Sequence, residues 1–460
     1  MQSNRPDFKL HTSPSSAKIN WSKYKTRYYL HFDTPIDIMH IKDQIQDPKW
    51  VSSYAFLPSI HFTITFNKYV TISKDKSLPL HLRKEKKKKK RQIYYAAHKD
   101  RFIYKYYGDR LNDAYNYYAK EYGIDETAIA YRNNKPGCNT VDFAYEVFDF
   151  LYQQEQAVIM SIDFTKFFDN INHRFLKNNI KTVLGVNELP DDWYKVYKNL
   201  TQYTYVNKSK IDNYLKQAYG IKRLKKLIQS KQLKKIMNPA DFRVFKKENL
   251  YKNKKPYGIP QGSGMSAVCS NVHLIAFDQD IKRWAEQHDA LYRRYCDDMI
   301  LIIPVSGTSS QNISILKDSI LSKVLSYEEQ GLKIQEEKTE IRLYDGRRIV
   351  DEQNKDSSLD YLGFVTDGQV IRLREKSLFK YYYRAYRKAD TSRRIALATK
   401  RKGPRKELYS IYTHLGFKYK EYGNFTTYAN NAHKMMSQLK VESQINKQVK
   451  RHWNKIHKRL

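Results

Sequence analysis

Cysteine is nearly absent from this chain: three residues in 460, Cys138, Cys269 and Cys296. None pairs with another at the spacing of a zinc ligand set or a redox couple, so all three are expected to be packing residues in a reducing compartment. Glycine (16) and proline (13) are too sparse for a long flexible or Pro-rich linker, and there is no internal repeat, so the segments are expected to pack as one assembly. No apolar run approaches the ~20 residues that span a bilayer. The start, Met1-Gln2-Ser3-Asn4-Arg5-Pro6, lacks the apolar heart of a signal peptide, and the expectation is a cytoplasmic protein with no membrane partner. Acid is scarce too. Against 84 Lys and Arg stand 48 Asp and Glu, a net charge of +36 that exceeds what solubility needs and points to a polyanion, nucleic acid first.

What is present fits that partner. The 39 tyrosines and 20 phenylalanines suit stacking on bases and sugars, although many will serve cores and strands. Residues 371–460 hold 24 Lys or Arg against 5 Asp or Glu, leaving +19 in about a fifth of the chain, and read as a basic helical domain. The run Arg83 to Arg91, lysine-rich throughout, reads either as a solvated loop or as a cation source aimed at phosphate by the strand-like Ile93-Tyr94-Tyr95. Residues 177–250 interleave Lys with Leu and Ile at helical spacing and read as a surface helix pair, with an RNA-contacting insertion as the alternative.

The chemistry concentrates in three places. Val141 to Leu151 predicts a helix capped at Asn139-Thr140; a buried strand follows from Ala157, ends at Asp163, and leads to a helix over Phe167 to Leu176. Tyr257-Gly258-Ile259-Pro260-Gln261-Gly262-Ser263-Gly264 is a Gly-rich turn entering a helix, without the Gly-Lys-Ser/Thr ending of a phosphate loop. Last comes Tyr295-Cys296-Asp297-Asp298, two adjacent carboxylates between strand-like Ala290-Leu291-Tyr292 and Met299–Ile303. Alone it reads as a solvated hairpin turn at least as well as a metal site. Asp163, 134 residues earlier, changes the balance: strands of one sheet would bring the acids together, and clustered hard oxygen ligands suit Mg²⁺. A helix over 311–330 and a strand near Leu332-Lys333-Ile334 complete the block.

In that order, Asp163-Phe164-Thr165-Lys166-Phe167-Phe168-Asp169, Gly258–Ser263 and Tyr295–Asp298 resemble motifs A, B and C of reverse transcriptases. Gly331 through Lys338-Thr339 is similar to motif D, and Leu359-Asp360-Tyr361-Leu362-Gly363-Phe364 to the primer grip. Arg91-Gln92-Ile93, Asp100–Tyr104 and Ala130-Tyr131-Arg132-Asn133 further resemble the bacterial, defence-associated and abortive-infection enzymes, with retron enzymes as near relatives.

The resemblance implies an α+β right-hand polymerase: N-terminal extension and fingers over 1–150, a palm of antiparallel sheet over 151–370 with a basic helical insertion at about 177–255, and a helical thumb over 371–460. It implies an RNA-directed DNA polymerase with Asp163 and Asp297 as metal ligands, Asp298 supporting and the Phe164 carbonyl as an extra ligand, holding two Mg²⁺ ions with Mn²⁺ as the alternative. Phe168 would sit under the incoming sugar and exclude a 2′-hydroxyl, Gln261 and Gly262 would meet nucleotide and template, and Lys90 and Arg91 the triphosphate. Lys338 would donate a proton to pyrophosphate, and Tyr361, Leu362 and Gly363 would set the primer end. Each has a plainer reading as a core, turn or surface residue. The partners implied are an RNA template, a dedicated structured non-coding RNA in antiphage defence, together with deoxynucleotides, a DNA product and its RNA–DNA hybrid. The rival classes are a catalytically dispensable RNA-binding scaffold or splicing aid, and an RNA-synthesising polymerase that Phe168 disfavours.

Overall fold

A computed structural model of the chain describes residues 19–72, 82, 84–306, 310–334, 339–416, 418, 423–449 and 452–460. In chain order its strands are β1 (Ser59–Thr71), β2 (Lys84–Tyr95), β3 (Ala157–Asp163), β4 (Thr204–Asn207), β5 (Tyr251–Lys252), β6 (Leu291–Tyr295), β7 (Asp298–Pro304), β8 (Glu340–Tyr344), β9 (Ile349–Asp351), β10 (Leu359–Tyr361), β11 (Phe364–Thr366), β12 (Val370–Leu373) and β13 (Glu442–Ser443). Two compact units form: Met1–Asn134 with Phe164–Gln279 and Val324–Lys333, and Lys135–Asp163 with Asp280–Lys323 and Ile334–Leu460.

In the first unit the sheet order is β2-β1-β4-β5. The lysine run is not a loop. It is β2 itself, paired antiparallel with β1 from Ile60↔Tyr95 to Thr71↔Lys84. Alternating Thr, Ile and Phe on β1 supply the strand preference, and charged side chains suit an edge strand because they repel further pairing. One sheet face buries Ile60 and Val206 with Ile211, Leu215, Ile236 and Met237. The expected helix pair over 177–250 is larger than that. Helices Asp191–Thr201, Lys208–Tyr219, Ile221–Gln229 and Pro239–Asn249 occur there, and the β-forming Thr204-Tyr205-Val206 adds β4, parallel to β1.

The helix expected over Phe167 to Leu176 is two helices, Phe167–Asn170 and His173–Leu184. Asn172 causes the break, since its side chain accepts from the amides of Arg174 and Phe175 and so caps a new start. Helix His98–Glu121 brings Gly108 so close to Gly264 that a Cβ on Gly108 would stand 2.7 Å from the Gly264 carbonyl oxygen. Of the strand expected near Leu332-Lys333-Ile334, the described residues show a β-bridge at Ile334, and the Lys333 carbonyl accepts from Thr165 N at 2.7 Å.

The second unit holds a five-stranded antiparallel sheet, β6-β7-β3-β8-β9. β3 and β7 are flanked on both sides and buried, which is why their sequences run apolar without alternation. Helix Thr140–Tyr152, started by a capping box at Asn139, seats Val141, Ala144, Val147, Phe148 and Leu151 in the same core. The second sheet, β10-β11-β12-β13, lends Leu359, Tyr361, Phe364, Ile371 and Leu373 to that core. The basic tail is mainly helical, led by Glu375–Thr399 and Phe425–Met436. Helix Ser310–Leu325 ends earlier than expected, before a 3₁₀ turn at Glu328–Gln330. Cys269 and Cys296 are buried as expected, whereas Cys138 is exposed. Among the described residues, no helix is long and apolar enough to cross a membrane.

Gly331 shows how tightly the motif segments interlock: φ is 97° and an added Cβ would lie 1.9 Å from the Asn170 carbonyl oxygen. Gly331→Ala is therefore expected to cost on the order of 2 kcal/mol or more. A thermal melt checks it; a midpoint unchanged within one degree contradicts this packing.

Candidate active site

The β3–β7 register sets Asp163 opposite Asp298. Directly opposed residues of an antiparallel pair leave the sheet on one face, so both carboxylates project together. Tyr295 pairs with Asp298 across β6 and β7, leaving Cys296 and Asp297 as a two-residue turn with Cys296 at φ 62°. A side chain rarely adopts that conformation, and here the surroundings impose it. Arg294, fully buried, donates from Nη1 to the Cys296 carbonyl at 2.9 Å. Arg293 donates from Nε to Glu146 of helix Thr140–Tyr152 at 3.1 Å and from Nη1 to its neighbour Tyr292 O at 2.8 Å. Two successive guanidiniums thus fix the end of β6 that leads into the acidic turn.

Crowding sets the electrostatics. The Asp298 carboxyl is pushed up from 3.8 to about 6, first by loss of surrounding water, then by the charges of Asp297 and Asp163, while Arg374 pulls the other way. Arg374 donates from Nε to Asp360 at 2.6 Å, and its amide donates to the Gly363 carbonyl at 2.9 Å. That carbonyl belongs to the turn joining β10 and β11, where Leu362 (φ 46°) and Gly363 (φ 97°) are both left-handed, as a tight two-residue hairpin demands. Tyr361 lies in the core rather than at the surface, and its buried hydroxyl has no hydrogen-bond partner among the described residues.

Among the described residues, no group of three or more His, Cys, Asp and Glu makes a ready metal cage. Mg²⁺ does not need one, because it keeps waters and substrate phosphates and takes only one or two protein carboxylates. Burial raises the Asp298 carboxyl and the charges of Asp297 and Asp163 add to the rise, and a carboxylate set of that kind fits a hard divalent cation.

The nucleotide-contact candidates gather in the first unit. Strand β2 and the Gln261 loop are joined by Tyr94 N donating to Gln261 O at 3.1 Å. Gly262, at φ 115°, passes so close that a Cβ would lie 2.7 Å from Tyr94 O, so no other residue fits there without a shift. The loop's other side is tied down by Ile259 N to Phe168 O at 2.9 Å and by His173 Nε2 to Gly258 O at 2.8 Å. Phe167 is buried and Phe168 half-buried, so the neighbours divide into a core ring and a ring partly open to solvent. Lys90 and Arg91 are exposed on β2, the Arg91 guanidinium 5.5 Å from the centre of the Phe66 ring. The Phe164 ring is buried, 5.7 Å from that of Phe277. Phe168, Gln261, Gly262, Lys90 and Arg91 thus share one unit, and Asp163, Asp297, Asp298 and Tyr361–Gly363 the other; Lys338 lies outside the described residues.

Sequence reading missed Arg293, Arg294 and Arg374. The first two had a signal: consecutive arginines inside a short run otherwise made of strand formers seldom point to water on both sides.

A family model described as reverse transcriptase (RNA-dependent DNA polymerase) matches residues 82–366. No curated protein matches the chain significantly. Among solved structures, the chain is similar to apo telomerase from Candida tropicalis truncated from its C-terminal domain, at 12% identity and a TM-score of 0.39, over 73% of this chain. It spans 59% of that structure's chain.

Raised Asp298 predicts a definite pH response. Between about pH 4 and 6 the folded chain keeps a proton that the unfolded chain has released, so this group's contribution to stability declines as pH rises through that window. Asp298→Asn removes the penalty. Its thermal midpoint should exceed wild type at pH 7.5 without divalent ions and converge with it near pH 4; a midpoint difference that does not change with pH would contradict the crowding.

Proposed function

This chain belongs to the reverse transcriptase family, and from that membership we propose that it is an RNA-directed DNA polymerase copying an RNA template into cDNA. The observation that carries the proposal is the β3–β7 register, which puts Asp163 and Asp298 on one face beside the Asp297 turn. Asp163 and Asp297 hold divalent ions, with Asp298 supporting and the Phe164 carbonyl as a further oxygen. Two Mg²⁺ ions, or Mn²⁺, would polarise the attacking 3′-hydroxyl and steady the leaving oxygen. A pure RNA-binding scaffold would gain nothing from the raised, crowded carboxyl of Asp298, which favours the enzyme over that reading.

The remaining roles follow from the family resemblance, with exposure and chemistry in support where the residue is described. Phe168 offers a partly open ring to the sugar and excludes a 2′-hydroxyl, while Gln261 and Gly262 present backbone and amide to nucleotide and template. Lys90 and Arg91, both exposed on β2, neutralise the triphosphate, Arg91 in bidentate fashion. Lys338 donates a proton to pyrophosphate. The Tyr361-Leu362-Gly363 turn, tied through Arg374 to Asp360, positions the primer end. In domain terms, residues 1–150 are extension and fingers, 151–370 the palm with its basic insertion, and 371–460 a thumb whose cations follow the hybrid's phosphates. A dedicated structured RNA as template and a role in bacterial antiphage defence, in the cytoplasm, complete the proposal, supported by the resemblance of the Arg91–Ile93, Asp100–Tyr104 and Ala130–Asn133 segments.

Purified protein given a primed RNA template, Mg²⁺ and each nucleotide set tests it. Deoxynucleotides should be incorporated, and Asp297→Ala should lower the rate at least about a thousandfold with little change in melting. Equal incorporation by Asp297→Ala sinks the proposal. Phe168→Ala should admit ribonucleotides at least about tenfold better, a shift in selectivity that removal of a core ring alone would not produce.

A further inference from the structure

The sheet β2-β1-β4-β5 has two different faces. One buries Ile60 and Val206 in the core of its unit. The other, receiving the alternate side chains, carries a chain of rings. His61 and Tyr94 stack at 4.7 Å, Tyr94 meets Tyr203 and Tyr205 at 5.0 and 5.3 Å, and Tyr205 stacks on Tyr251 at 5.4 Å. Tyr251 is 42% exposed and Tyr205 half-buried, so the row ends in water. His61 is held at both ring nitrogens, Nδ1 against Asn207 Oδ1 at 2.7 Å and Nε2 against Gln92 Oε1 at 2.6 Å. Further along β2 on the same face stand Lys90 and Lys88, both exposed and opposite Thr65 and Asn67. Three of these rings, Tyr203, Tyr205 and Tyr251, come from the segment between Asp163 and Gln261, which sequence reading treated as helical insertion only.

We propose that this face is an accessory site for single-stranded nucleic acid, with unpaired bases stacking at the Tyr205–Tyr251 end and phosphates lying along Lys88 and Lys90. Three observations converge on that class of ligand. Exposed rings ordered by their neighbours supply stacking without base preference. Same-face lysines on a strand recur about every 6.8 Å, a regular cation ladder for a backbone. A duplex hides the faces of its bases and cannot use the rings, so the fit is to an unpaired strand. The face also adjoins the nucleotide-contact loop, since Tyr94 donates its amide to Gln261 O. The strand held here is then one that leads to that loop. The inference rests on the polymerase reading only for choosing a polynucleotide substrate, and the surface itself is argued from rings and charge.

Fluorescence anisotropy on the full chain, without nucleotides, tests it with three probes: a 12-nucleotide oligo(U), a 12-nucleotide oligo(dT) and a 12-base-pair RNA duplex. The double variant Tyr205→Leu, Tyr251→Leu should weaken at least one single-stranded probe about tenfold or more and leave the duplex within about twofold, whereas Tyr205→Phe, Tyr251→Phe should bind like wild type. Loss on oligo(U) alone assigns the face to the RNA strand, and loss on oligo(dT) alone to the DNA strand. Lys88→Gln should reduce the salt slope by about one. Unchanged binding of both single strands by the Leu pair, equal loss on the duplex, or equal loss in the Phe pair overturns the proposal. Should the Leu pair not fold, Tyr251→Leu alone, on an exposed two-residue edge strand, is expected to lose about threefold to tenfold, and no loss there also overturns it. Asp297→Ala should bind every probe normally, so a failure of polymerisation does not pass for a failure of this site.

Discussion

Like-charge repulsion at the tip of the β6–β7 hairpin is the constraint around which the second unit is organised. Asp163, Asp297 and Asp298 are held near one another by backbone pairing, and the Asp298 carboxyl is raised first by its burial and then by the charges of Asp297 and Asp163. Nothing in hydrophobic packing would choose this arrangement. The structure answers with guanidiniums set behind and beside the acids. Arg294 holds the turn's own carbonyl, Arg293 ties the strand to Glu146, and Arg374 reduces the field at Asp298 while pairing with Asp360.

Rigidity follows from the same need. A buried central strand flanked on both sides cannot slip its register without turning its apolar side chains the wrong way. β3 and β7 are both of this kind, so the Asp163–Asp298 pairing is over-determined by the seven registered pairs from Ala157↔Pro304 onward. Cys296 in the left-handed region is tolerated for the same reason: β6 and β7 close over it, and Arg294 satisfies its carbonyl. A cheaper turn residue would also be a looser one if the buried arginine were lost.

Parts of this were legible in the sequence and parts were not, for physical reasons. The hairpin and β3 were readable because buried strands write uninterrupted apolar runs, and the helix after Asn139 because capping is local. The break at Asn172 was not, since one hydrogen-bonding side chain overrode a helical periodicity that continued across it. Strand β2 was missed because the nine consecutive charged residues from Arg83 to Arg91 look like a loop unless their partner strand is known, and β1 supplies that partner from some 25 residues upstream. The arginine network was hidden for a different reason: Arg374 lies 76 residues beyond Asp298, and its relation to the acids depends on a second sheet whose pairing no short-range pattern encodes. The Gln261 loop lay between these cases. Its glycines were conspicuous, but that Gly262 is required by the nearness of Tyr94 O is a tertiary fact.

The distribution of positive charge follows from the same physics. A cation placed inside the acid cluster would satisfy it and make a metal redundant, so the surplus has to be carried elsewhere. It lies on exposed β2, where the lysines face water on both sides, and in the 371–460 tail that holds +19 of the total +36. Exposed cations of this kind contribute little to folding because water screens them. Their value appears only against a dense polyanion, where each phosphate contact releases a bound counterion. Excess charge of this kind is thus better explained by a ligand than by the fold.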